Sequence, residues 1–326
     1  MKTPFTRRRF TQTLSLAALT PAWVRAQEGD FPARPIKLIV PNAPGSSVDT
    51  MGRIAGAQLA AAGYKNFVDN KAGASGALGV DAGKTAAPDG YSLIVASSSA
   101  MTVAPLLQKA ISYDTLKDFD FITLLAMLPS VLVCNTALKV ESIADLIAFA
   151  RANPGKTNMA SAGPGSASHL AGVALSVAAG FESLHVPYKG GSQSVASVVS
   201  GETHWTLTPA PAAMGLVKGG RLRALGHSLA KGTRPLGAVP ALADSVAGFE
   251  YGSWIGLMGP KGLPPAVSDK LRKAWLLAMQ QASLREAFDA NGAVPAASTA
   301  EEYRALAARD IEQNRKVIAV AGLKAE

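Results

Sequence analysis

The chain has 326 residues, 48% of them hydrophobic and 17% charged, with 31 glycines and 20 prolines. That is apolar mass for about two cores, and it excludes a disordered chain. The net charge is +9, yet no Lys/Arg block marks a nucleic-acid surface, and the single cysteine excludes an internal disulfide and a cysteine metal cluster.

In chain order, the first 26 residues read as an export signal. Lys2 and Thr6-Arg7-Arg8-Arg9-Phe10 make a basic start, residues 14–19 an apolar stretch, and Val24-Arg25-Ala26 a cleavage site. The order Thr-Arg-Arg-x-Phe resembles a twin-arginine signal, with an ordinary Sec signal as the alternative. Cleavage near Ala26 takes five basic and no acidic residues with it and lowers the net charge to +4. The apolar stretch is far shorter than the ~20 residues of a membrane span. The exported chain of about 300 residues is expected to be soluble.

Short β-rich runs then alternate with helical stretches, the pattern of βαβ units and parallel sheets. Strands are expected at 36–41, 67–70 and 91–97, with helices over 49–62 and 75–86 between them. Strand-like runs follow at 121–127 and 130–135; Cys134 in the second reads as a buried apolar filler. A helix over 142–152 stops at Asn153-Pro154-Gly155, and the alternation restarts: strands at 157–161, 183–188, 204–208 and 222–227, helices over 168–179, 193–200 and 211–218. A β-rich run at 249–258 leads into helices over 265–281, 283–290 and 299–320.

The two halves look alike. Asn42-Ala43-Pro44-Gly45-Ser46-Ser47-Val48-Asp49 follows the first strand and opens a helix containing Gly52. Ser161-Ala162-Gly163-Pro164-Gly165-Ser166-Ala167-Ser168-His169 does the same before Gly172, at a constant offset. Lys71-Ala72-Gly73-Ala74-Ser75 is echoed by Lys189-Gly190-Gly191-Ser192. Such Gly/Ser loops at a helix start present unsatisfied backbone N–H groups and the positive end of the helix dipole, and so suit an anion without Lys or Arg. One loop per domain would grip a carboxylate from both sides of a cleft.

Other chemistries fit poorly. Gly79-Val80-Asp81-Ala82-Gly83-Lys84-Thr85 has three residues between its glycines where a Walker A loop needs four. Gly226-His227-Ser228-Leu229-Ala230 and Gly190-Gly191-Ser192-Gln193-Ser194 fail the nucleophile-elbow pattern at the last position. Ser166 with His169 lacks an orienting acid. His169, His185, His204 and His227 are scattered, so no metal site is expected, and no cofactor. A secreted serine hydrolase using Ser166 or Ser228 remains the alternative from another class.

The chain resembles the Bug-type periplasmic solute receptors of tripartite tricarboxylate transporters. The resemblance rests on pieces in register over nearly all of the exported chain: Pro35-Ile36-Lys37-Leu38-Ile39-Val40-Pro41, Val68-Asp69-Asn70-Lys71-Ala72-Gly73-Ala74, Ala87-Pro88-Asp89-Gly90-Tyr91, Tyr113-Asp114-Thr115-Leu116-Lys117-Asp118-Phe119, Ser168-His169-Leu170-Ala171-Gly172, His185-Val186-Pro187-Tyr188-Lys189-Gly190 and Ser253-Trp254-Ile255-Gly256-Leu257 among them. It implies an α/β type II periplasmic-binding-protein fold: two α/β domains joined by crossing strands, residues 27–125 with 249–326 and residues 126–248, and a ligand cleft between them. It further implies a periplasmic monomer that binds a small organic carboxylate and hands it to membrane transporter subunits, or senses it for signalling. Carried onto this sequence, the ligand-binding candidates are Asn42, Pro44, Gly45, Ser46, Ser47, Asp49, Ser98, Ser161, Ala162, Gly163, Gly165, Ser166, Ser168, His169 and Thr208. Asp49 also reads as a stabiliser of its helix start. Two departures stand out: Asn42-Ala43-Pro44-Gly45-Ser46 replaces the usual Ala-Ala-Gly-Gly stretch, and Thr208 stands where the family commonly carries an aspartate able to pair with a ligand ammonium. A carboxylate without an amine is therefore the expected preference.

Overall fold

A computed structural model describes residues 31–73, 76–188, 191–233 and 235–325. The export signal, Ala74-Ser75 and Lys189-Gly190 lie outside the described residues. The first lobe opens with β1 (Ile36–Val40), α1 (Ser47–Ala61), β2 (Asn66–Asn70), α2 (Ala77–Lys84) and β3 (Ser92–Ser97). A π-helical turn, Ser99–Val103, then runs into α3 (Ala104–Leu107), and β4 (Phe119–Leu128) leaves the lobe. The second lobe holds β5 (Ser130–Asn135), α4 (Ile143–Ala152), β6 (Asn158–Ser161), α5 (Ala167–Ala179), β7 (Leu184–Pro187), α6 (Gly191–Ser200), β8 (Trp205–Pro209), α7 (Ala210–Lys218) and β9 (Leu222–His227). The chain returns through β10 (Ser253–Pro260), α8 (Pro265–Ala278), α9 (Ala282–Ala290), β11 (Val294–Pro295) and α10 (Ala300–Val320).

The two sheets are built to one plan. The first runs β11-β4-β10-β3-β1-β2 and the second β7-β6-β8-β5-β9. In each, three parallel strands (β2-β1-β3 and β7-β6-β8) meet one antiparallel strand that arrives from the other lobe, β10 or β5. The chain therefore changes sheet twice, at Pro129 and between His227 and Ser253. Backbone bonds pin these crossings together: Ser228 N–H donates to the Ser130 carbonyl (2.9 Å) and Tyr251 N–H to the Ser228 carbonyl (3.0 Å). β4 continues to Leu128, so the change of sheet falls three residues beyond the sequence boundary at 125/126.

Both sheets are covered on both faces, which is why their strands read as unbroken apolar runs. Ile36, Leu38, Val40, Leu93 and Val95 face α1 and α8, while Ile94 and Ala96 face α2 and α10. In the second lobe Leu132, Cys134, Trp205 and Leu207 pack on α4 and α5, and Val131, Val133 and Ala160 on α6 and α7. Cys134 is fully buried, and burial pushes its thiol up to about 11. At Gly172 on α5 an added Cβ would fall on the Met159 sulfur of β6. Gly172→Ala is expected to cost about 1–2 kcal/mol of stability, as overpacking does, read as a lower denaturant midpoint.

Local signals misplace some ends. The strand read at 249–258 begins at Ser253 and runs to Pro260, and the helix read at 265–281 ends at Ala278 before α9 begins. Residues 99–107 carry no periodic signal, yet they form the π-turn and α3. Among the described residues no helix is long and apolar enough to cross a membrane.

Candidate functional site

The two Pro-Gly-Ser loops share three hydrogen bonds of one scheme: the cap hydroxyl, the turn carbonyl and the closing acceptor. Ser46 and Ser166 are N-caps in the same extended conformation (φ/ψ −70/161° and −66/159°), and their hydroxyls accept from Asp49 N–H and His169 N–H. The preceding glycines, Gly45 and Gly165, take φ of +79° and +69°, values that suit glycine alone among common residues. Ser46 N–H donates to the Ala43 carbonyl and Ser166 N–H to the Gly163 carbonyl, both at 3.2 Å. The residue three after the cap closes each turn by accepting from the glycine: Gly45 N–H donates to Asp49 Oδ2 (2.8 Å), Gly165 N–H to His169 Nδ1 (3.1 Å).

That closure assigns several predicted donors to the loops themselves. Ala162 N–H donates to Ser168 Oγ (2.9 Å) and Gly163 N–H to Ser161 Oγ (3.1 Å). Together with Gly45 and Gly165, these amides shape the turns. The backbone N–H groups with no carbonyl one turn earlier are those of the first helical residues, Ser47 and Val48 on α1, Ala167 and Ser168 on α5. The Ser46 hydroxyl still carries a proton to give, while Ser166 Oγ also shares a 3.3 Å hydrogen bond with Ser168 Oγ.

Asp49 is 3% exposed and fully engaged: Arg53 Nε donates to Oδ2 at 3.0 Å, Asn70 Nδ2 to Oδ1 at 2.9 Å. Burial alone would raise its pKa, but the bonds from Arg53, Gly45 and Asn70 outweigh it and hold the carboxyl below its usual range. Asn70 also donates to the Asn42 carbonyl (3.0 Å), tying the loop to β2. His169, 4% exposed, stacks on His185 with ring centroids 3.7 Å apart. Burial, then the neighbouring His185, pushes its pKa down to about 4, so the ring is neutral and its Nδ1 free to accept. Ser161 Oγ bonds His185 Nε2 at 2.6 Å.

Two of the cavities where the lobes meet touch the second loop or the start of its helix. The larger of these, about 390 Å³, is walled by Ala162, Pro164, Gly165 and Ser166 from the second lobe, Ser99, Val103, Ala104, Leu107 and Gln108 from the first, and Leu323 and Lys324 after α10. The lobes approach closely here: a Cβ on Gly165 would lie 2.6 Å from Leu107 Cδ1. The smaller, about 30 Å³, takes a water-sized group and is lined by Ser98, Ser99, Ser130, Ala167, Ser253 and Asp310 among others. Ser98 Oγ bonds Ser253 Oγ at 2.7 Å, and Trp254 Nε1 donates to Asp310 Oδ2. Burial pushes the Asp310 carboxyl up to about 6 against the pull of that indole N–H.

Of the sequence candidates, Ala162, Gly165 and Ser166 line the large cavity and Ser98 the small one. Residues 42–49 (Asn42, Pro44, Gly45, Ser46, Ser47 and Asp49) line neither, because the wall opposite the second loop is the 99–108 segment. Ser161, Gly163, Ser168 and His169 sit beneath the second loop and brace it. Thr208, at the end of β8, is 1% exposed, and its Oγ1 has no partner among the described residues. The sequence reading missed Val103, Ala104, Leu107, Gln108, Leu323 and Lys324. Ala-Pro-Leu-Leu-Gln after the serine run, and Gly-Leu-Lys closing a long helix, were the available signals.

Among the described residues no hydrogen bond joins Ser166 Oγ or Ser228 Oγ to an imidazole. Ser166 Oγ accepts from the His169 backbone, and the buried Ser228 Oγ accepts from Ser130 N–H. Among the described residues no cluster of three His, Cys, Asp or Glu side chains could hold a metal.

Residues 55–323 match the family described as "Tripartite tricarboxylate transporter family receptor". The chain belongs to that family. It is 34% identical to the protein BugT of Bordetella pertussis over 297 residues, 90% of this chain and 91% of BugT. Among solved structures it is similar to Rpa4515 of Rhodopseudomonas palustris, determined with adipate (TM-score 0.78, 28% identity, 91% of this chain and 100% of that one). It is also similar to MatC of the same organism, with bound malate (TM-score 0.71, 26% identity, 88% and 100%). The two lobes with paired crossings are thus a type II periplasmic-binding-protein fold, and the protein is a solute-binding receptor of the Bug type.

Proposed function

We propose that the receptor is exported to the periplasm, holds a small organic carboxylate between its lobes, and delivers it to the membrane subunits of a tripartite transporter. The observation that carries this reading is the capped N-terminus of α5 beside a 390 Å³ interlobe chamber. The N-cap Ser166 lines that chamber, Ala167 lines the small cavity, and the positive end of the α5 dipole favours an anion at this helix start. The amides of Ser47 and Val48 at the start of α1 are the second holder, brought to the ligand by rotation about the two crossings. Relatives determined with adipate and malate support a carboxylate guest. Thr208 lines neither cavity; the preference for an amine-free guest rests on the resemblance, in which a carboxylate commonly stands at this position.

Calorimetry tests this with adipate, malate and aspartate. Binding of an amine-free dicarboxylate, with aspartate weaker, is expected; tight aspartate binding with none of the others overturns the preference. Gly165→Val, which forces a β-branched residue to φ +69° against Leu107, is expected to lower stability by roughly 1–2 kcal/mol, read as a lower denaturant midpoint. A fluorophosphonate probe should leave the protein unlabelled; labelling of Ser166 or Ser228 would restore the hydrolase.

A further inference from the structure

We propose that the C-terminal tail is part of the ligand site, with Lys324 as the residue that selects a second carboxylate on the guest; this deepens the receptor reading above and rests on it. The tail's course is fixed by how α10 ends. Gly322 adopts φ +66°, its N–H donates to the Ala319 carbonyl (3.1 Å), and Leu323 N–H reaches back to the Ile318 carbonyl (3.1 Å). Those paired bonds are a Schellman motif, which commonly carries an apolar contact between the residues here numbered 318 and 323.

In this chain the contact grows into a clasp. Leu323 packs in one cluster with Ile318, with Val103, Leu106 and Leu107 of the first lobe, and with Leu170 of α5 in the second. The side chain is thereby lodged where the lobes meet, and the next residue has nowhere to go but the rim of the chamber. Lys324 lines it, as Ser166 does. Every other lining residue is neutral: Ser99, Val103, Ala104, Leu107, Gln108, Ala162, Pro164, Gly165, Ser166 and Leu323. Lys324, like most lysines of the chain, is paired with no carboxylate among the described residues, but it is the one cation among the lining residues of this chamber.

The chamber therefore carries two unlike anion holders, the α5 N-cap Ser166 at the positive end of its helix dipole and an unpaired ammonium, with Val103, Ala104 and Leu107 as apolar surface in the same wall. A linear dicarboxylate with an apolar spacer satisfies all three; a monocarboxylate leaves the lysine idle. Lys324 is exposed, so its contribution is that of a partly screened ion pair, up to about 1 kcal/mol or roughly fivefold in affinity.

The test is calorimetry of the full exported chain with adipate and with hexanoate, which replaces one carboxylate by a methyl. Lys324→Gln is expected to weaken adipate about fivefold and leave hexanoate unchanged, Lys324→Arg to retain adipate, and high salt to erase the adipate difference. Gly322→Val, which unseats the turn, should reproduce the adipate loss with Lys324 still present. Lys324→Gln binding adipate like wild type, or losing both acids equally, overturns the assignment. If wild-type protein binds neither acid, the tail assignment falls, and the carboxylate reading falls with it only when malate is also ignored; if it binds adipate and ignores Lys324→Gln, only the tail assignment falls.

Discussion

Asp49→Ala is expected to lower the melting temperature by about 6–12 °C, at roughly 2–4 °C per kcal/mol for a chain of this size. The carboxylate is buried and accepts from three donors at once: Gly45 N–H, Arg53 Nε and Asn70 Nδ2. Alanine strands a backbone amide in a tight turn, an Asn70 amide and one end of a guanidinium. Unpaired buried polar groups cost about 1–3 kcal/mol each when fully desolvated. Arg53 is half exposed and water repairs its loss, so about 3 kcal/mol in total is a fair sum. Asp49→Asn keeps the shape and should fall between, retaining carboxylate binding within about threefold because the side chain faces inward. Abolished binding with an unchanged melting temperature would make Asp49 a ligand contact after all. The pH sign follows from its depressed pKa. The contribution is present above the unfolded carboxyl value near 3.8 and is lost as pH falls through the lower folded value.

That residue shows how far the sequence could be read. The offset between the two Pro-Gly-Ser loops was visible letter by letter, and the structure repeats it in the shared hydrogen bonds, because a capped helix start is decided within five residues. What the letters could not show is that Asp49 and His169, unlike in chemistry, do the same work of closing a turn. That equivalence depends on a side-chain acceptor reaching back to a glycine, which any of several residues can supply. The same limit hid the wall of the chamber. Residues 99–108 and the Gly322-Leu323-Lys324 tail meet the second loop through contacts more than fifty residues apart in sequence, and no periodicity encodes such a meeting. The alternating βαβ pattern did carry the strand and helix order, since apolar runs buried on two faces and Gly or Pro stops are local signals. The break between α8 and α9 carried no such stop.

The acid side of the stability curve should report on His169. Its pKa is pushed down to about 4 by burial and by His185 stacked against it, while an unfolded histidine titrates near 6.5. As pH falls below 6.5 the unfolded chain takes up this proton and the folded chain does not, so stability declines until the folded ring also protonates near pH 4. The loss from this one group approaches 3 kcal/mol at about 1.4 kcal/mol per unit. Asp310, pushed up to about 6, works in the opposite direction over the same window, because there the folded carboxyl binds the proton first. The total curve therefore mixes two signs, and the difference between wild type and His169→Gln isolates one of them. Denaturant titrations should give a difference that is constant above pH 6.5 and moves by roughly 3 kcal/mol towards pH 4; a flat difference would mean the ring is not held neutral. Ligand affinity should fall in the lower part of that window, for a reason the stability curve alone cannot supply. Once protonated, His169 has an N–H at both ring nitrogens, so Nδ1 can no longer accept from Gly165, and the turn that aims the α5 N-terminus at the chamber loses the bond that closes it.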